Sequence, residues 1–322
     1  MKTRLPKLPQ LLDRKIYKTG QTRGADDDVI YQNRVGRNST VLIPYSFWDK
    51  RFLSENFENG FIVLISPNIY FSEKDIDKRL KSQGLGLGKN LLIFYETRQQ
   101  WDENNPDKIK LKPAKSRVAP LKGQYVARVP ANTSLERGAQ IRRGFIDTLG
   151  KGAGIRVYEY ASSTTIKNCR LQLEALFWLC GDSEIIAANN GMKESDITTR
   201  KEAILEECRL NGLFDLKQLI KARVINSKNK TTCPLCLEEL SGSGFFNKLE
   251  QAEGREVPDL TVTQINLFHI NELRINTLNH CPYNLGWGHH HCNVVTKDSG
   301  ILPTLKWMQG VIKRNDDGGY LD

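Results

Sequence analysis

Short runs of β-branched and aromatic residues recur through the first hundred positions. "STVLIPYSF" (39–47), "GFIVLISPNIYF" (60–71) and "KNLLIFYE" (89–96) are each bounded by Gly, Pro or Asn and are expected to form strands. Between the last two, "SEKDIDKRLKSQG" (72–84) is expected to form a helix with Ser72 as cap and Gly84 as stop. After residue 163 the period lengthens. Ile166, Cys169, Leu173, Leu176, Phe177 and Cys180 recur at helical spacing, and "DITTRKEAILEECRLNG" (196–212) and "FDLKQLIKARV" (214–224) continue as two further helices. "SKNKTT" (227–232) then resembles a linker. The pattern predicts an α+β chain in three parts: a mixed α/β part over 1–160, a helical segment over 161–225 that connects or dimerises, and a C-terminal part over 226–322.

Composition narrows the class. The 322 residues are 39% hydrophobic and 26% charged, the balance of a chain that buries a core. "MKTRLPKLPQLLDRK" lacks the unbroken apolar stretch of a signal peptide, and no run of about 18 apolar residues occurs, so no membrane association is expected and the location expected is cytoplasmic. Seven cysteines in such a chain argue for thiols and a metal site over a disulfide framework.

The net charge of +10 is unevenly spread: residues 200–322 hold 15 basic and 15 acidic side chains, so the whole excess lies before residue 200. Within residues 108–135, Lys108, Lys110, Lys112, Lys115, Arg117, Lys122 and Arg128 occur without a single acid before Glu136, while Pro113, Pro120 and Gly123 oppose a helix. Such a stripe suits a loop or edge strand laid along a phosphate backbone, and double-stranded DNA is the partner expected. "GQTRGADDDVIYQNRVGRN" (20–38) offers Arg, Asn and Gln for bidentate base contacts. The first 160 residues are therefore read as a DNA-recognition domain.

The sharpest signal is local. All five histidines fall between residues 269 and 291, close to the "CPLC" of 233–236 and the "HHHC" of 289–292. Two cysteines with two residues between them reach one ion, and His289 and Cys292 repeat the gap, so Cys233, Cys236, His289 and Cys292 form a Cys₃His set suited to structural Zn²⁺. His280, Cys281, His290 and His291 stand near enough in sequence to take one of those places.

"CPLC", then "NLFHINEL", then "YNLGWGHHHCNVVTKD" resembles the zinc-stapled HNH, or ββα-metal, nucleases over about the last ninety residues. His269 to Asn284 is 15 residues and Asn284 to Asn293 is 9, the register of that family. The resemblance implies a ββα-metal fold in which His269 is the general base, Asn284 ties the loop that aims it, and Asn293 is an oxygen ligand for catalytic Mg²⁺ or Mn²⁺. The family's second CxxC becomes HxxC here and its last His becomes Asn293. The position before the base, usually a second metal ligand, is Phe268, so either Glu272, Asn266, His291 or a backbone carbonyl supplies the missing atom, or the ion is held mostly by Asn293 and the DNA phosphate. A reader joined to such a cutter resembles type II restriction endonucleases that act as homodimers, with Leu173, Leu176, Phe177, Leu213, Leu216 and Leu219 as a candidate interface. No small-molecule cofactor is implied. A homing or phage HNH endonuclease, and an inactive zinc-containing DNA-binding protein, are the alternatives.

Overall fold

The structure, a computed structural model, describes residues 5–19, 40–114, 120–127, 129, 155–249, 263–275, 277–297 and 299–321. The chain divides into two units: residues 22–162 form one, and residues 1–21 together with 163–322 form the other. This redraws the three-part division expected from the pattern. The N-terminal helix α1 (Gln10–Thr19) belongs with the C-terminal half, and the helical segment shares one core with the histidine-rich part. Among the described residues no helix is long and apolar enough to cross a membrane.

The unit of residues 22–162 is built on a parallel sheet. Strands β1 (Val41–Pro44), β2 (Phe61–Ile65), β3 (Leu91–Tyr95), β4 (Tyr125–Ala127) and β5 (Ile155–Arg156) lie in the order β4-β3-β2-β1-β5. Parallel strands are covered on both faces and read as continuous apolar runs, as "FIVLI" and "LLIFY" do. Leu42, Ile62, Leu64, Leu92, Phe94 and Val126 fill one face. The "SPNIYF" half of the second predicted strand is instead helix α2 (Pro67–Ser72), because Ser66 caps it through Ile69 N (3.4 Å) and Pro67 fits its first turn. Helix α3 (Ile76–Ser82) consequently starts after Asp75 and not at Ser72; Gly84, at φ +77°, ends the turn beyond it as expected. Helix α4 (Arg98–Glu103) follows β3 behind a capping box of Thr97 and Gln100.

The basic stripe borders this sheet beyond β4. Pro113 bridges to Tyr125, Lys112 O accepts from Gln124 N at 2.7 Å, and Ala114 N donates to Tyr125 O at 2.9 Å. Only glycine fits at position 123, where a Cβ would stand 2.4 Å from Ala114 N. Lys108, Lys110, Lys112 and Lys122 are exposed; Lys115, Arg117 and Arg128 lie outside the residues whose side chains are described, as does the 20–38 stretch.

The other unit is organised around helix α5 (Ser163–Trp178), ten of whose sixteen residues are buried. Helices α6 (Ser183–Asn189), α7 (Glu194–Leu210) and α8 (Leu216–Lys221) follow. Leu173, Leu176, Phe177, Leu213 and Leu219 are spent in this internal core, which removes them from the candidate dimer interface; of that group only Leu216 is exposed. "SKNKTT" is no linker: Asn226 Oδ1 accepts from Lys228 N and Lys230 N, Ile225 pairs with Thr231, and both threonines are buried. Arg200, paired with buried Glu174 (2.6 Å), anchors the residues before α1 by also donating to Pro6 O.

Strands β6 (Ile265–His269) and β7 (Leu285–His289) form an antiparallel hairpin that continues directly into helix α9 (His290–Thr296), and helix α10 (Ile301–Asp317) closes the chain. Trp287 fixes the hairpin to α5 by donating Nε1 to Leu173 O (2.8 Å) and packing edge-on against Phe245.

Candidate metal centre and histidine site

At the junction of β7 and α9 four ligand atoms converge. The donor atoms of Cys233, Cys236, His289 and Cys292 all lie within 4.8 Å of one another, and Cys236 Sγ is 3.3 Å from His289 Nδ1. The local chain explains the convergence. Leu237, at φ +65°, turns the knuckle so that its N–H donates to Cys233 O at 2.9 Å, and Cys233 N donates to Glu238 O at 2.9 Å. Arg223 buttresses it from behind, donating Nε to Pro234 O at 2.7 Å. His289 ends a strand and Cys292 lies in the first turn of the helix, which brings the second pair onto the first.

This donor set fits zinc: soft sulfur and imidazole, four in number, partly buried. Burial, above all, pushes the Cys292 and Cys236 thiols up, and the neighbouring Cys233 thiol adds to it. A divalent cation among them supplies the opposite charge that turns thiols into thiolates. The sequence alternatives sit elsewhere. His290 accepts from Asn266 Nδ2 (2.7 Å), His291 is exposed, Cys281 is half-buried with its thiol pushed up by burial, and His280 faces another histidine.

The second grouping lies at the other end of the hairpin. His269 ends β6 opposite Leu285, and its Nε2 is 3.3 Å from His280 Nδ1. Asn284 is 6% exposed and ties two segments with three side-chain bonds: Oδ1 accepts from Asn271 N (2.8 Å), while Nδ2 donates to Asn279 O (2.8 Å) and Asn271 O (3.2 Å). Buried Gln172 on α5 orients this loop, its Oε1 accepting from Tyr283 N at 2.8 Å. Helix α9 runs from the Cys₃His end, where His290 N donates to Gln264 O, back toward the His269 end, where the start of α10 is tied by Ile301 N donating to Ile270 O. Asn293, half-buried, lies between.

A family model described as BstXI restriction endonuclease matches residues 14–290. The chain belongs to the BstXI restriction endonuclease family. Membership makes it a sequence-specific DNA endonuclease, and hence a hydrolase of restriction–modification. No curated protein and no solved structure matches the chain. The BstXI-family match takes in Cys233, Cys236, His269, His280, Asn284 and His289, and stops before His291, Cys292 and Asn293.

In this BstXI-family chain several of the donors named for a catalytic ion are already engaged. Phe268 is fully buried. Glu272 pairs with Arg274, and Asn266 is engaged by Thr263, His290 and Lys15. Among the described residues, the only cluster of three or more His, Cys, Asp or Glu donors is the Cys₃His set. His280 is the residue whose setting the sequence did not reveal. Its sole signal was membership of the histidine cluster, since an 11-residue separation across a loop has no periodic signature.

Proposed function

We propose that residues 226–322 act as a zinc-stapled ββα-metal (HNH) nuclease centre, and that the sheet unit, with Lys108, Lys110, Lys112, Lys115, Arg117 and Lys122, holds and reads double-stranded DNA. The observation that carries this reading is the continuous run of hairpin and helix, with the Cys₃His cluster at their junction and His269 at the hairpin's other end, its loop tied by Asn284. Neutral His269 takes a proton from water. The hydroxide adds to phosphorus, the bond to the 3′ oxygen breaks, and that oxygen takes a proton from solvent water while His269 returns its own to solvent, giving 5′-phosphate and 3′-hydroxyl ends. Asn284 keeps the base-bearing loop in place. Mg²⁺ or Mn²⁺ supplies charge neutralisation on the phosphate; Asn293 offers an amide oxygen to it and Phe268 offers nothing. One base cuts one strand per visit, so a double-strand break calls for a homodimer on a two-fold site.

The test is His269→Ala. Zinc content and DNA affinity stay near wild type while cleavage falls by about 10²–10⁴-fold, the contribution of a general base. Cleavage that survives the substitution places the active site elsewhere. Sedimentation on DNA reports the dimer, and a monomer there makes the enzyme a sequential cutter.

A further inference from the structure

The buried partner of His269 has no role in the cleavage chemistry so far. His280 is 2% exposed, yet its Nδ1 points at His269 Nε2 across 3.3 Å, the two rings tilted by 53° with centroids 5.4 Å apart. Both histidine-bearing segments are held by one residue. Asn284 bonds to Asn271, two residues beyond His269, and also to both neighbours of His280: its Nδ2 donates to Asn279 O and its backbone N to Cys281 O (3.2 Å). Asn279 in turn donates its side-chain amide to Glu272 O, closing the loop on the strand end. The ring-to-ring contact is therefore framed on both sides by backbone hydrogen bonds.

A neutral imidazole has one N–H and one lone pair, and the bond made by one nitrogen fixes the state of the other. Two directions are open to this contact. If His280 donates, the lone pair of His269 is consumed and its Nδ1 carries a proton. If His269 donates through Nε2–H, its lone pair stands on Nδ1 and remains a base.

We propose that His280 is a positioning residue: its buried Nδ1 accepts from His269 Nε2–H and holds His269 in the tautomer and ring orientation in which Nδ1 takes the proton from water. This rests on His269 being the general base. A bond from the second nitrogen to a fixed acceptor is how functional imidazoles are oriented elsewhere.

The test begins with the full-length wild-type protein, ¹⁵N-labelled at histidine. It has only five such residues, and His269→Ala and His290→Ala spectra assign the signals. A protonated Nε2 and an unprotonated Nδ1 on His269 at neutral pH are expected; the opposite tautomer overturns the proposal. Kinetics on a plasmid that the wild type cuts supply the second arm. His280→Ala lowers kcat by roughly 10–100-fold, the range typical of removing such orienting partners, with KM and zinc content unchanged. His280→Asn, whose Oδ1 reproduces an acceptor near Nδ1, restores most of the activity. An unchanged kcat in His280→Ala, or equal decreases in the two variants, overturns the proposal, as does a second equivalent of bound Co²⁺ that vanishes in both His269→Ala and His280→Ala, since the rings would then share an ion. Cleavage that survives His269→Ala instead removes the parent reading, a separate outcome.

Discussion

Phe268 lies so close against Gly288 that a Cβ added to the glycine would stand 2.6 Å from the phenyl ring and 3.4 Å from the Cys233 sulfur. The buried ring thus packs the hairpin against the cysteine knuckle of 233–236, and the absence of a methyl at 288 is what makes room. Gly288→Ala should overpack this contact and cost about 1–3 kcal/mol. Urea unfolding measures it, and an unchanged midpoint would mean that the ring has space to move.

Zinc should be present at one equivalent per chain and survive chelator treatment that strips magnesium. Cys233→Ser removes a buried ligand and should abolish zinc retention and cooperative unfolding of residues 226–322. Elemental analysis together with proteolysis of that region decides the point; folded protein without zinc refutes the ligand set.

Asn293→Ala should depress cleavage by a factor like that of His269→Ala, because it removes the amide oxygen proposed to hold the divalent ion. Raised Mn²⁺ should recover part of it for Asn293→Ala and none for His269→Ala. Identical responses of the two variants to metal would separate Asn293 from the ion.

Replacing Lys110, Lys112 and Lys115 by Ala should weaken binding to every DNA sequence alike and flatten its salt dependence by roughly 0.9 for each phosphate that is no longer neutralised. Fluorescence anisotropy at several salt concentrations reads the slope. An unaltered slope would put the backbone-binding surface elsewhere.

Three buried thiols outside the metal cluster, Cys169, Cys180 and Cys208, are each pushed up from 9.0 to about 12, chiefly by burial. The folded pKa exceeds the unfolded one, so their contribution to stability is whole below about 9 and is lost as pH rises from there toward 12. Stability should fall across that window, and Cys→Ala at Cys169 or Cys208 should shallow the fall. A pH series of thermal melts is the measurement.

The Cys₃His set was legible in the sequence because both halves of a four-ligand cluster are written as short local spacings, in "CPLC" and "HHHC". The three sheet strands before residue 100 were legible for a similar reason, each an apolar run between polar or turn-forming flanks. "PNIYF" misled because its aromatic content reads as strand, while its structure is set by the cap of Ser66 and the proline after it. The contacts of Gln172 with Tyr283, Arg200 with Pro6 and His269 with His280 left no local trace, since each joins side chains through tertiary packing or a loop. The leucines of the helical segment illustrate the same limit: their period reveals an apolar face, and only the fold reveals that the protein's own core covers it.

Helix α1 lies in the same unit as the hairpin, and its Lys15 reaches into it to donate to Thr263 and Asn266 Oδ1. In chain order the sheet unit is therefore an insertion, entered near residue 21 and left near residue 163, with both of its ends continuing into the unit that carries the Cys₃His cluster. Insertion of one folded unit into another is a change that chains tolerate well. Under the proposed division of labour the consequence is modular: the sheet unit becomes a cassette, exchanged at its two ends for one from a relative of different sequence preference, while the other unit keeps both chain segments that complete its core.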